Sequence, residues 1–236
     1  MKILTVSDDV SRIVYSPQIK ERFKDVELVL SCGDLPLYYL EYIVTLLNVP
    51  LYYVMGNHMN DVAWTEKGQV KVYPGGCVNI DNKVVEYKGL IIAGLEGSMR
   101  YNRQEYQYTE LDMSLKITHL KPRLTFNRLF EGRAIDILIT HAPPYHIHDD
   151  EDLCHRGFKA FLKFMDAYQP RYLIHGHKHV YDPNETTETL YNKTRVINTY
   201  GYKVIEIEKT QNSDGPGEDK KRFKWAFKGV ENKGRS

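Results

Sequence analysis

The chain has 236 residues, with 32 Lys and Arg against 31 Asp and Glu, a formal charge of +1. That balance excludes a uniformly basic nucleic-acid surface, and 42% hydrophobic and 12% aromatic residues exclude a wholly disordered chain. Cys32, Cys77 and Cys154 are odd in number and form no CxxC pair, which excludes a disulfide framework or a cysteine-built zinc site. The start MKILTVSDD is not read as a signal peptide, and no apolar run reaches membrane-spanning length, so a cytoplasmic protein without a membrane partner is expected.

Ile3 to Val6 reads as a buried strand ending at Ser7-Asp8-Asp9. Pro17 to Lys24 reads as a short helix capped by Ser16. Glu27 to Leu30 is a second strand, ending at Gly33-Asp34. Leu37 to Asn48 has helical spacing, and Leu51 to Met55 is a third strand, ending at Gly56-Asn57-His58. This βαβαβ order predicts parallel strands with right-handed crossovers.

From Val70 to Gly94 the pattern changes to hairpins. Strands over 70–72, 84–87 and 90–93 are separated by Pro74-Gly75-Gly76, Asp81-Asn82 and Lys88-Gly89. A helix-prone stretch from Thr109 to Phe130 is expected to break at Pro122. Ile135 to Ile139 is a strand ending at Thr140-His141. Gly157 to Tyr168 is a helix, and Tyr172 to Ile174 a strand ending at His175-Gly176-His177. Strands over 195–198 and 203–208 close a domain spanning 1–208. Residues 209–236 carry a net charge of +4, which leaves about −3 for the body. They read as a flexible basic tail in which Arg222 to Lys228 offers an edge strand or partner contact.

Asp8, Asp34, Asn57-His58, His141, and His177 with His179 each follow an apolar strand. Strand carboxyl ends are where open α/β sheets bind ligands. Carboxylate, amide and imidazole together are the side chains that hold divalent ions. His177 and His179 lie two apart, which on extended backbone puts them on one face. Two ions about 3.5–4 Å apart would each take one of them, activating water for in-line attack at phosphorus. Any one such residue is more often a cap or turn; the ordered set is not.

On these motifs the sequence resembles the calcineurin-like metallophosphoesterase superfamily, and within it the Icc-related predicted phosphoesterase group, over about Met1 to Glu208. The resemblance implies a four-layer αββα sandwich of two mixed β-sheets. It implies a two-metal phosphoesterase, with Mn²⁺ foremost and Fe, Zn, Ni or Mg compatible, acting on a phosphomonoester or phosphodiester. It implies Asp34 as the bridge, Asn57, His141 and His177 on the second metal, and Asp8 and His179 on the first. His58 would donate a proton to the leaving oxygen or orient the phosphate.

Two positions depart from the family pattern. Val10 stands where the first motif has a histidine, so the first metal has Asp8, Asp34 and His179. Three readings follow: weaker binding with extra waters, which is favoured; substitution by another side chain such as Asp9; or a single tight metal. Met59 stands where an acid usually supports the histidine at 58.

Softer candidates are Arg100 as a phosphate fork, and His146, His148, Asp149 and Asp150, which line the substrate mouth or complete a metal site. His175 reads as a packed histidine, His119 as unrelated and Asn198 as closing the site floor. The rival functions are a protein-binding scaffold derived from a weakened enzyme, which the retained Asn57-His58 argues against, and a nuclease, which the low charge argues against and the basic tail keeps open.

Overall fold

The computed structural model describes residues 1–58, 62–66, 68–71, 73–182 and 184–208. Met59 and the expected tail over 209–236, including Arg222 to Lys228, lie outside the described residues. In chain order the elements begin with β1 (Lys2–Ser7), α1 (Ile19–Arg22), β2 (Val26–Ser31), α2 (Leu37–Leu47) and β3 (Leu51–Tyr53). A two-stranded ribbon of β4 (Val62–Thr65) and β5 (Gly68–Lys71) follows, then β6 (Val78–Asn79) and the hairpin β7 (Val84–Tyr87) and β8 (Leu90–Leu95). The short strands β9 (Ser98–Met99) and β10 (Gln107–Tyr108) precede α3 (Glu110–Glu131), β11 (Ile137–Thr140), α4 (Lys159–Tyr168) and β12 (Tyr172–His175). The last strands are β13 (Glu188–Tyr191), β14 (Thr194–Asn198) and β15 (Gly201–Glu206).

Two mixed sheets form. One runs β15-β1-β2-β3-β6 and the other β13-β14-β12-β11-β8-β7. β1, β2 and β3 pair in parallel, as the βαβαβ order requires, with β15 antiparallel on β1. In the other sheet β8, β11, β12 and β14 are parallel, flanked by antiparallel β7 and β13.

Alternating side chains tie each strand to two layers. Ile3, Leu30, Ile92, Ile137, Ile139, Ile174 and Ile197 meet between the sheets. Their neighbours Leu4, Val6 and Val29 face α1 and α2, packing with Ile19, Tyr39, Leu40 and Ile43. Ile91, Ala93, Leu138, Leu173 and Val196 face α3 and α4, packing with Met113, Leu120, Leu124, Phe161 and Phe164. Strands buried on both faces read as continuous apolar runs, which is why they were legible. Each such side chain contributes about 1.5–3 kcal/mol on burial. The result is the expected αββα sandwich.

Two local expectations fail. α3 continues through Pro122 instead of breaking there. Pro122 and Thr118, whose carbonyl loses its partner, are both exposed, so that carbonyl is open to water. The same helix is held by a capping box between Thr109 and Asp112 and closed by Gly132 at φ 72°. The helix expected over 17–24 shrinks to α1, because the Ser16 hydroxyl donates to the Ile13 carbonyl instead of capping. The short or edge strands β6, β9, β10 and β13 carry too little apolar pattern to be read from sequence.

Candidate metal centre

β1, β2, β3, β11 and β12 all end at one edge of the sandwich, and the chain bends sharply there. Asp8, Asp34 and His177 adopt left-handed backbone at φ 62°, 53° and 66°. Non-glycine residues rarely do so, and such strain gathers at functional sites. Gly56 is required by space: a Cβ there would strike the Asp34 carboxylate. A Cβ at Gly176 would strike the Ser7 hydroxyl and the Asp8 carboxylate.

The bends bring donors of unlike origin together. Asp34, His141 and His177 each offer a ligand atom, all within 4.8 Å of one another. His141 Nδ1 lies 2.7 Å from the Cys32 carbonyl, which can only accept, so Nδ1 carries the proton. His141 Nε2 then faces Asn57 Oδ1 at 3.0 Å and Asp34 Oδ2 at 3.2 Å. Three lone-pair atoms converge, an arrangement that a cation or a proton on Nε2 satisfies. His177 Nε2 lies 2.8 Å from the Cys154 carbonyl, so its proton sits there and Nδ1 is bare. Burial, with the nearby His141 charge, holds the His177 pKa low. It is therefore a neutral imidazole, the form that binds metal.

The acids are biased in opposite ways. Burial raises the Asp8 pKa, although His141 opposes it. For Asp34 burial works in the same direction, but His141 and the His58 N–H outweigh it and keep the carboxyl ionised. Burial lowers the His141 pKa and the carboxylate charge of Asp34 raises it, the net being upward. Asp8 Oδ2 accepts the His177 N–H at 2.9 Å, while Oδ1 is buried without a hydrogen-bond partner. An orphaned carboxylate oxygen beside converging O and N donors fits a divalent cation. These residues therefore suit the ions that the resemblance implies.

Other expected residues stand apart from this group. His58 is exposed; its backbone N–H donates to Asp34 Oδ1 at 2.9 Å. His177 and His179 do not share a face. The left-handed turn at His177 ends the extended alternation, so His177 is buried while His179 is exposed. His179 Nδ1 lies 2.9 Å from the Tyr181 hydroxyl, and its ring packs on Tyr200 at 4.9 Å. Tyr200 in turn feels the charges of Asp9 and Asp8. Val10 packs against the apolar layer under α1 and α2, and Asp9 is exposed.

Arg100 is no free fork, because it donates to the Gln107 carbonyl and to Asp112 Oδ2 at 3.1 Å. His146 is exposed and packs on Tyr145. His148 turns inward, bonding His175 at 3.0 Å and Thr189 at 2.9 Å. Asp149 accepts the Gly157 N–H, and Asp150 pairs with Lys178 at 2.6 Å. Asn198 donates to the Lys178 carbonyl, steadying the segment between His177 and His179. His119 meets Asn82 on the surface.

Sequence reasoning missed Tyr101 and the 152–155 turn. The Tyr101 hydroxyl accepts from Asn57 Nδ2 at 3.2 Å, and the Cys154 side chain lies near it. Asp152, Cys154 and His155 form a second group of donor atoms. The Asp152 carboxylate is already engaged by the N–H groups of Cys154 and His155 and by His155 Nδ1 at 2.9 Å. That turn packs on the first group, the His155 ring lying 5.2 Å from that of His177. No short motif marks these contacts, which join segments far apart in sequence.

The model of the calcineurin-like phosphoesterase family matches residues 5–181. No curated protein matches the chain. Among solved structures, TT1561 of Thermus thermophilus is 15% identical, with 85% of this chain and 89% of that chain covered at a TM-score of 0.54. GAP50, the anchor in the inner membrane complex of Plasmodium, is 14% identical, with 84% and 70% covered at 0.49. A Vps29 variant from Entamoeba histolytica is 13% identical, with 88% and 86% covered at 0.41. With three-quarters of the chain matched and both sheets ending on one donor-rich edge, the chain belongs to the calcineurin-like phosphoesterase family.

Proposed function

We propose that the protein is a metal-dependent phosphoesterase that hydrolyses a phosphomonoester or phosphodiester at a two-ion site. The observation that carries this reading is the convergence of His141 Nε2, Asn57 Oδ1 and Asp34 Oδ2, which a cation in place of a proton on Nε2 would satisfy. Asn57, His141 and His177 would hold one ion and Asp8 the other, with Asp34 between and His179 swinging in from Tyr181. Mn²⁺ suits this mixed oxygen and imidazole set. Bound divalent ions lower the pKa of a water and offset charge on the phosphoryl oxygens. His58, exposed at the mouth beside Asp34, would give the leaving oxygen its proton. Domain 1–208 would carry this chemistry, with the basic tail outside it.

A second reading, a protein-binding scaffold, is favoured by one feature. Val10 lies in the apolar layer and His179 is turned to Tyr181, which thins the donors on the Asp8 side. One assay separates the two. Hydrolysis of bis-p-nitrophenyl phosphate and p-nitrophenyl phosphate is measured with Mn²⁺, Fe²⁺, Zn²⁺, Ni²⁺ or Mg²⁺, beside Asp34→Ala. Metal-dependent turnover that Asp34→Ala abolishes supports the phosphoesterase. No turnover with any ion and either ester sinks it in favour of the scaffold.

A further inference from the structure

An asparagine ligand has an intrinsic ambiguity. Its amide ends in one oxygen, which binds a cation, and one NH₂, which repels it, and a half-turn about the last bond exchanges them. Asn57 sits at the end of β3 and is buried. Its Oδ1 faces His141 Nε2, and its Nδ2 donates to the Tyr101 hydroxyl at 3.2 Å. The backbone that carries this tyrosine is well fixed. Tyr101 N–H and Asn102 N–H both donate to Gln107 Oε1, at 3.2 and 3.0 Å, and Gln107 is itself buried. Arg100 N–H donates to the Tyr108 carbonyl, tying the same segment to β10.

The Cys154 side chain lies near the phenol, which accepts from Asn57. The Cys154 carbonyl in turn fixes the proton of His177 on Nε2. Tyr101 thus meets the amide of Asn57, after β3, and the Cys154 carbonyl meets the ring of His177, after β12.

We propose that Tyr101 is a positioning residue for the metal centre: its hydroxyl holds the Asn57 amide with the oxygen toward the cation. This rests on the metal-binding part of the function proposed above. Flipping the amide would present NH₂ to His141 Nε2 and leave the phenol facing an oxygen. Tyr101 would then have to change from acceptor to donor toward Asn57. In the native arrangement Asn57 Nδ2 donates to the phenol and Oδ1 is left toward the cation.

The test is a double-mutant cycle read in metal binding, not turnover. The Kd for Mn²⁺ is measured by competition with a fluorescent chelator in the full chain, in Tyr101→Phe, in Asn57→Ala and in the double variant. Loss of a partner that orients a ligand weakens metal binding about 10–100-fold. Tyr101→Phe should therefore weaken Mn²⁺ binding by about 10-fold or more while Asn57 is present. In the Asn57→Ala background, where Asp34, His141 and His177 still bind, the same change should cost no more than about twofold. Equal weakening in both backgrounds, or a change within twofold when Asn57 is present, overturns the proposal. Tyr101→Phe keeps the ring and its packing; an unchanged melting temperature of the metal-stripped variant separates positioning from general loss of fold. If the unaltered chain binds no Mn²⁺, the phosphoesterase reading falls first; if it binds but shows no coupling, this inference alone falls.

Discussion

Asp8 gives one carboxylate oxygen to the backbone N–H of His177 at 2.9 Å and keeps the other buried with no hydrogen-bond partner. The first contact fixes the carboxylate across the gap between β1 and β12. The second leaves an acceptor whose burial costs free energy unless a cation meets it. The Asp8 side has fewer donors than the Asp34–His141–His177 side, because Val10 belongs to the apolar layer. A Mn²⁺ titration should therefore resolve one tight and one weak equivalent. Asp8→Ala should remove the weak one and keep the tight one. Loss of both equivalents in that variant would show that the donors are not divided in this way.

Gly56 is the clearest steric dependence in the centre. Its missing side chain is the space in which the Asp34 carboxylate lies. Gly56→Ala should push that carboxylate off His141 and out of the donor group. Destabilisation of about 1–3 kcal/mol is expected, typical of a buried clash, together with loss of the tight Mn²⁺ equivalent. Urea unfolding and chelator competition measure the two separately. Native metal affinity in Gly56→Ala would contradict the geometry.

His58 differs from the buried histidines in being exposed while its backbone touches Asp34. If it protonates the leaving oxygen, His58→Ala should lower turnover about 10²–10⁴-fold with metal content unchanged. The loss should be largest for an ester with a poor leaving group and small for p-nitrophenyl esters, whose departing oxygen needs little proton assistance. A uniform loss across leaving groups would assign His58 to phosphate orientation instead.

The strand ends were readable because each donor directly follows a run buried on both faces. Asp8 after β1 and His141 after β11 are the plainest cases. The four layers were readable for the same reason, since alternate residues such as Ile3 and Leu4 serve different cores. What sequence hides is backbone direction after the strand. The spacing of His177 and His179 suggests one shared face, but a positive φ at His177 sends them apart. Arg100 resembled a phosphate ligand only until Asp112, brought near by the first turn of α3, claimed it. Asn57 and Tyr101 lie 44 positions apart in sequence and meet only through the fold.

The inward turn of His148 makes stability depend on pH. Burial, with Lys203 nearby and only Glu188 opposing, lowers its pKa to about 4. Its ring shares a hydrogen bond with His175, which burial and His148 itself hold to about 3. Both are neutral in the fold, against an ordinary value near 6.5. Below about pH 6.5 the unfolded chain therefore binds protons that the folded chain refuses until about pH 4. Stability is fully present above that window and falls as pH drops through it. His148 is only partly buried, so its share is on the order of 1–2 kcal/mol after allowance for solvent screening. His148→Asn can still bond His175 and Thr189 but takes up no proton. Urea unfolding from pH 6.5 to 4.5 should show a shallower decline in that variant than in the unaltered chain. Identical declines would mean that the His148–His175 contact carries no proton linkage.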